Sequence, residues 1–245
     1  MDTNSTSRSV QRIRQEPKSR EVSVAGVHQI GANMLSVRFK GEALSDFISH
    51  SFDDHIKFIF PDSDGTPTRR DYTPTGYDKQ RGELTLEFAL HAQGAATEWA
   101  RQAKVGMNAI IAGPRGSMVI PQNYDWHLLV GDLSALPAIH RRLQEFAPGT
   151  KALSVIEIAH ADDIRAFDTR ADVEPHWVKS ADELLATVRN LALPAGEGYI
   201  WAAGETSTMK ELRTLLTDEK RHPKDAMRVS AYWKHGAADF HEKLA

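Results

Sequence analysis

The chain contains no cysteine. That excludes disulfides, thiolate nucleophiles, cysteine-ligated iron–sulfur clusters and cysteine-attached haem, so any redox chemistry needs a carried-in cofactor. It has no excess of cations. The formal net charge is −3 with histidines neutral, and no bulk basic field argues for a nucleic-acid partner. It has no apolar run near the ~18 residues that a spanning helix requires, so no membrane insertion is expected. The opening stretch MDTNSTSRSVQRIRQEPKSR has charge but no apolar segment, so it does not read as a secretory leader, and a cytoplasmic protein is expected. There is no His-Glu-x-x-His, which predicts no metal site, and no Ser–His–Asp arrangement can be argued. A Gly-x-Gly-x-x-Gly fingerprint is also missing, so dinucleotide binding cannot be read from a glycine motif.

What is present is a chain of 245 residues, 41% hydrophobic, enough for one large domain or two small ones. Residues 1–20 are polar, with Arg8, Arg12, Arg14, Lys18 and Arg20, and predict a flexible solvated tail. β-rich runs follow at residues 21–30, 34–40, 56–60, 83–91, 107–112 and 117–120, with a short helix at 95–104. In the third run Ile56, Phe58 and Phe60 share one face, which turns Lys57 to the other; Leu84, Leu86, Phe88 and Leu90 share a face in the same way. These runs predict a six-stranded antiparallel barrel over residues 21–122. From residue 123 to 245 strands (126–130, 152–159, 176–178, 199–203, 227–233) alternate with helices (133–146, 162–167, 181–191, 206–220). That alternation predicts a doubly wound, mostly parallel sheet. Its ligand belongs at the carboxyl ends of the strands, at Gly131-Asp132, Ala159-His160, Gly204-Glu205 and Trp233-Lys234.

Two stretches carry chemistry. Arg70-Asp71-Tyr72-Thr73-Pro74-Thr75 gathers a guanidinium, a phenol and hydroxyls where a strand should end. His91-Ala92-Gln93-Gly94-Ala95-Ala96-Thr97-Glu98-Trp99 sets small residues at a helix start, where bare backbone N–H groups let an anion approach. Together they read as a cradle for something flat, aromatic and phosphorylated, a flavin dinucleotide. Singly, each reads equally as a strand end with a turn or as an ordinary helix start. Gly131-Asp132 and Gly204-Glu205 read singly as strand-to-helix turns. Lys57, Arg115 and Arg228 read singly as surface cations, and spacing does not bring them together.

The ordered set of these pieces resembles the siderophore-interacting protein family, flavin-dependent ferric-siderophore reductases of the ferredoxin reductase superfamily. The pieces are Phe52-Asp53-Asp54-His55-Ile56-Lys57, Arg70-Asp71-Tyr72-Thr73-Pro74, His91 through Trp99-Ala100 and Ala112-Gly113-Pro114-Arg115-Gly116-Ser117. They continue with Gly131-Asp132-Leu133-Ser134-Ala135-Leu136-Pro137-Ala138, Trp201-Ala202-Ala203-Gly204-Glu205 and Ala231-Tyr232-Trp233-Lys234. The resemblance runs from about Arg12 to Trp233 and is greatest to enterobacterial-type ferric-chelate reductases.

The resemblance implies an N-terminal FAD barrel and a C-terminal nicotinamide-nucleotide domain. Arg70, Tyr72, Thr73 and Thr75 would hold the isoalloxazine side of FAD; His91, Gly94, Ala95, Ala96 and Thr97, with Trp99 beside them, would hold its pyrophosphate. Gly131, Asp132, Gly204, Glu205 and Trp233 would line the site for NADPH or NADH. Lys57, Arg115 and Arg228 would draw in an anionic, catecholate-type ferric siderophore. A cation ~6 Å from a trianion gains about 2 kcal/mol in a water-like medium and about 8 kcal/mol at an effective dielectric of ~20, before desolvation. The implied activity passes electrons from NAD(P)H through FAD to Fe(III), with no catalytic side chain, in a monomer. Two alternatives stand beside it: another flavin oxidoreductase of the superfamily, or a non-catalytic siderophore-binding protein. The loop after Ala159 leaves the donor open, because Asp162 and Asp163 suit a free ribose hydroxyl while His160 and Arg165 suit a 2′-phosphate.

Overall fold

A computed structural model describes residues 8–62, 64–90 and 94–237. Period-two alternation builds the first half. Strands β1 (Gln11–Arg14), β2 (Ser19–Gln29), β3 (Met34–Lys40), β4 (Ile56–Pro61), β5 (Pro67–Tyr72), β6 (Pro74–Asp78) and β7 (Glu83–Ala89) precede helix α1 (Ala95–Gln102), and β8 (Asn108–Ala112) and β9 (Gly116–Val119) follow it. Ile56, Phe58, Phe60, Leu84, Leu86 and Phe88 are all buried, so the predicted core faces are the observed ones. One antiparallel sheet of seven strands runs β5-β4-β8-β2-β3-β7-β6. Its two edges, β5 and β6, are consecutive in the chain and joined at Thr73, so the curled sheet closes on itself through one residue.

This corrects the expected six strands. β5 and β6 were hidden by their prolines and charges, which mark edge strands where no ladder hydrogen bond is lost. The expected strand near 117–120 exists as β9 but lies outside the barrel. It pairs with β1, from the stretch expected to be a tail, in a separate two-stranded ribbon. Gln15 N donates to the Arg115 carbonyl at 2.9 Å and extends that ribbon.

The second half carries β10 (Trp126–Gly131), α2 (Leu136–Glu145), β11 (Lys151–Glu157), β12 (Asp172–Val178), α3 (Ala181–Asn190), β13 (Gly198–Glu205), α4 (Thr206–Thr214) and β14 (Met227–Trp233). All neighbours in its sheet, β12-β11-β10-β13-β14, are parallel. Pro137 sits in the first turn of α2, where its missing N–H costs nothing. Residues 162–167 hold one 3-10 turn (Ala161–Asp163) instead of a helix, and α4 ends in a π turn at Leu215–Glu219. Gly131 is required by close approach: a Cβ there would stand 2.5 Å from Ala135 Cβ and 2.6 Å from the Ala203 carbonyl.

The halves share a core. Met34, Phe52 and Ile120 pack with Leu129, Leu136 and Trp201 in one apolar cluster. Two buried arginines of α2 reach back across the joint. Arg141 donates to Ser49 Oγ (2.8 Å), the Ser49 carbonyl (3.1 Å) and the Pro74 carbonyl (3.2 Å). Arg142 donates to the carbonyls of Ile120 (3.2 Å) and Pro121 (3.1 Å) and lies over the rings of Phe52 and Phe146. Burial pushes the Arg142 pKa down to about 10. A buried guanidinium is tolerable only when its donors find acceptors, and here the barrel supplies them.

Candidate functional site

The point where the barrel edges meet is also where the second half touches them. β5 ends at Tyr72, whose ring packs on Phe88 (centroids 4.4 Å apart) and edge-on to Phe58 (5.8 Å) while staying partly exposed. Enclosure by these neighbours pushes its phenol pKa up. Thr73 is buried, and its side chain meets the phenol of Tyr232 from β14. Thr75 donates to the Thr85 carbonyl at 3.2 Å, within the barrel. Arg70 is half-exposed and donates to the Arg69 carbonyl at 2.8 Å. Asp71 takes the Lys57 ammonium at 2.7 Å.

Helix α1 begins beside the strand end at Leu90, and among the described residues no side chain caps it. Gly94 has φ +152°, a conformation that L side chains rarely adopt. Ala95, Ala96 and Thr97 fill the first turn, with Ala96 and Thr97 buried. His91 lies outside the described residues. Trp99 departs from its expected place at the cofactor. It is 5% exposed, stacked on Phe39 and edge-on to Phe58, with Nε1 buried and unpartnered. It anchors α1 from behind, a role set by the i+4 spacing that turns residue 99 inward.

The other expected cradle is built differently. Strand order reverses between β10 and β13, so the ligand crevice of the parallel sheet opens at Gly131-Asp132 and Gly204-Glu205. There the Asp132 carboxylate is fully engaged. Oδ2 accepts from Trp233 Nε1 (2.7 Å) and Glu205 N (3.1 Å), and Oδ1 accepts from Ser134 N (2.8 Å) and its hydroxyl. Gly204 leaves room for it, since a Cβ would stand 2.8 Å from Oδ2. Glu205 caps α4, accepting from Ser207 N (2.6 Å) and Thr208 N (3.2 Å). Burial works to raise its pKa, but these bonds and one from His235 N outweigh that and hold it low. Burial, then the Asp132 and Glu205 carboxylates, push Glu157 up. Asp132, Glu205 and Trp233 are thus brought together as one staple across three strand ends.

The three expected cations lie on or beside the segment that runs from β8 to β9. Lys57 stands opposite Ala112 across β4 and β8, just before Arg115. Arg115 is exposed. Arg228 of β14 touches Met118 Sδ with Nη1 and ion-pairs through Nε with buried Asp53 at 2.8 Å. Asp53 also accepts from Trp201 Nε1 (3.2 Å) and Ser51 Oγ (3.2 Å). Arg228 is therefore a bridge between the halves, 29% exposed, and differs from the solvated cation that its sequence context suggests. Asp53 and Tyr232 were missed as junction residues; only their place inside quoted motifs hinted at them.

The loop after β11 loses half of its expected donor-reading groups. Asp163 is buried and accepts from Asn33 N (2.7 Å) and Nδ2 (2.8 Å). Arg165 pairs with Glu87 of β7 at 2.9 Å. His160 and Asp162 remain exposed. Among the described residues no group of side chains could hold a metal ion, and no helix is long and apolar enough to cross a membrane.

Comparison with known proteins adds three findings. Residues 124–236 match the family described as siderophore-interacting protein, and residues 23–68 and 62–118 match the siderophore-interacting FAD-binding domain. The chain is 34% identical to the NADPH-dependent ferric-chelate reductase of Escherichia coli, over 94% of this chain and 98% of that one. It is 28% identical to the ferric vibriobactin reductase of Vibrio cholerae, over 87% and 89%. Among solved structures, a siderophore utilization protein from T. fusca superposes with a TM-score of 0.89 at 27% identity, covering 95% of this chain and 98% of that one. A ferredoxin reductase of carbazole 1,9a-dioxygenase shares the fold, with a TM-score of 0.67 at 19% identity, 88% of this chain and 69% of that one.

Proposed function

We infer the function from one premise: the chain belongs to the siderophore-interacting protein family. It is an FAD-dependent reductase of ferric siderophores that draws its electrons from a reduced nicotinamide nucleotide. The observation that carries this reading is the pairing of a partly exposed Tyr72 ring at the barrel closure with an uncapped helix N-terminus at Gly94.

The residues fit a flavin dinucleotide. Tyr72, Thr73 and Arg70 form one wall, fixed by Phe58, Phe88 and the α2 arginine. The backbone of Gly94, Ala95, Ala96 and Thr97 offers N–H groups to a pyrophosphate, and no side chain of the described residues caps them. Bound there, FAD supplies the exchange of a two-electron donor for the single electrons that Fe(III) accepts. The chain's own side chains bind and orient; none has to carry a proton to the iron, and closeness of donor and acceptor is the main requirement.

The substrate is anionic, of the catecholate class; the cations Lys57, Arg115 and Arg228 along the segment from β8 to β9 support this reading. Gly131, Asp132, Gly204, Glu205 and Trp233 shape the nicotinamide site through the staple they form. Residues 21–122 and 123–245 act as the two functional domains. The protein works as a cytoplasmic monomer without nucleic acid.

The test is the absorbance spectrum of the purified protein. It should be yellow, bleach on anaerobic NADPH or NADH, and recover colour when a ferric catecholate is added. A protein that takes up no FAD, or whose bleached form is reoxidised by free flavin but by no ferric chelate, overturns the reading.

A further inference from the structure

We propose that Arg12 and Arg14 extend the chelate site as a cationic rail on the outer face of the N-terminal strand, there to bind polyanionic ferric chelates. This rests on the reading of the chain as a ferric-siderophore reductase. The residues 8–20 carry several cations, and the structure separates them. Arg8 pairs with Asp125 and Glu197, and Lys18 and Arg20 both pair with Asp46. Arg12 and Arg14 are exposed, and among the described residues neither holds a carboxylate.

The ribbon decides where they stand. Arg12 is opposite Met118 and Arg14 opposite Gly116, while Ile13 is opposite Ser117. Opposite residues of an antiparallel pair share a face. Ser117 faces the barrel, since its hydroxyl donates to buried Asp54 at 2.7 Å, and Ile13 goes with it. Arg12 and Arg14 therefore lie on the face of Met118, and Met118 is the residue that Arg228 touches. The residue just after the strand, Gln15, donates its N–H to the Arg115 carbonyl. The rail thus flanks the segment from β8 to β9 along which Lys57, Arg115 and Arg228 lie.

Such a rail suits one ligand chemistry. A ferric tris-catecholate spreads its negative charge over the outside of the complex, so cations on several sides all gain. A neutral hydroxamate chelate of similar size gains nothing. Exposed cations ~10 Å from a trianion attract it modestly, and the attraction fades with salt because the Debye length is about 10 Å at 0.1 M.

The experiment uses the FAD-loaded full chain and measures Kd by fluorescence quenching with a ferric tris-catecholate and a neutral ferric hydroxamate. At low ionic strength the double variant Arg12→Ala/Arg14→Ala should bind the catecholate about 5-fold more weakly and Arg12→Glu/Arg14→Glu about 20-fold. Arg12→Lys/Arg14→Lys should stay near wild type, the hydroxamate should not respond, and the differences should shrink at high salt. Flavin reduction by NADPH should be unchanged in all three. Equal weakening for both chelates, without rescue by lysine, reduces the pair to a strand-pairing role and overturns the proposal. An unchanged Kd in the alanine variant, with wild type binding, overturns the rail alone. A wild type that binds no ferric chelate overturns the reductase reading and the rail with it.

Discussion

Two helix starts in this molecule look alike in sequence and differ in structure. Gly94-Ala95-Ala96-Thr97 opens α1, and Gly204-Glu205-Thr206-Ser207 opens α4. Both follow a strand, and both could receive a phosphate. At α1 no side chain among the described residues caps the first turn. At α4 the Glu205 carboxylate already takes the N–H groups of Ser207 and Thr208, and Asp132 takes that of Glu205. A bare helix start holds an anion with its full partial charge, whereas one occupied by a carboxylate repels it. Under the proposed reading, a resident dinucleotide and a passing donor would call for different kinds of helix start. The bare start of α1 would suit tight retention, and the capped start of α4 a ligand held by shape and ribose contacts that leaves each cycle.

The strongest way to break this contrast is Asp132→Ala. If Asp132 is a staple, its loss strands the part-buried Glu205 N–H, the Trp233 indole and the Ser134 N–H, and should cost about 3 kcal/mol in urea unfolding. Unchanged stability would mean the carboxylate is kept for ligand instead.

Acid separates the halves next. The buried histidines among the described residues, His127 and His222, are both in the second half. Burial first, then the Arg142 charge, lowers the His127 pKa to about 3. An unfolded chain takes up this proton below pH ~6.5, while the folded chain resists until about 3. The unfolded state therefore binds more protons in that window, and stability falls as pH drops through it. From pH 7 to 5 the loss from this group should be about 2 kcal/mol. His127→Gln should flatten the slope; the same slope in the variant would place the sensitivity elsewhere.

Gly94→Ala tests the other helix start. There is open space for the methyl group, whose nearest neighbour would be Thr97 Oγ1 at 3.9 Å, so the cost is strain at φ +152°. FAD should bind about 10-fold more weakly, a loss of about 1.4 kcal/mol, in equilibrium dialysis. The equivalent Gly204→Ala should leave FAD affinity alone and disturb the Asp132 staple.

The smallest effect concerns the cations. Asp71 already neutralises Lys57 at 2.7 Å, while Arg115 stands exposed. Arg115→Ala should raise KM for an anionic chelate about 3-fold, and Lys57→Ala by less. Flavin reduction by NADPH should be the same in both. A larger effect at Lys57 would show that Asp71 releases it to the substrate.

The alternating faces of β4 and β7 were legible because one side of each strand is buried and the other is not. The parallel second half was legible for the complementary reason: β10 is buried on both faces and reads as an apolar run broken only by His127. β1, β5 and β6 were not legible. Edge and ribbon strands bury little, so their sequences keep prolines and charges that read as tail and turn. Trp99 was misplaced for a related reason. An aromatic near a cofactor stretch reads as a ligand contact until the helix face it occupies is known.

The sequence by itself determined the order of the core strands and the main helices, the identity of the core faces and, through its ordered motifs, the family. Those follow from local periodicity and residue type, which act within a few positions along the chain. Only the tertiary structure decided which polar groups remain for a ligand. Asp132, Asp163, Arg165 and Arg228 are each taken up by partners distant in sequence. A charged side chain near a joint must find a partner or stay in water, and which of these happens is a property of the packed whole.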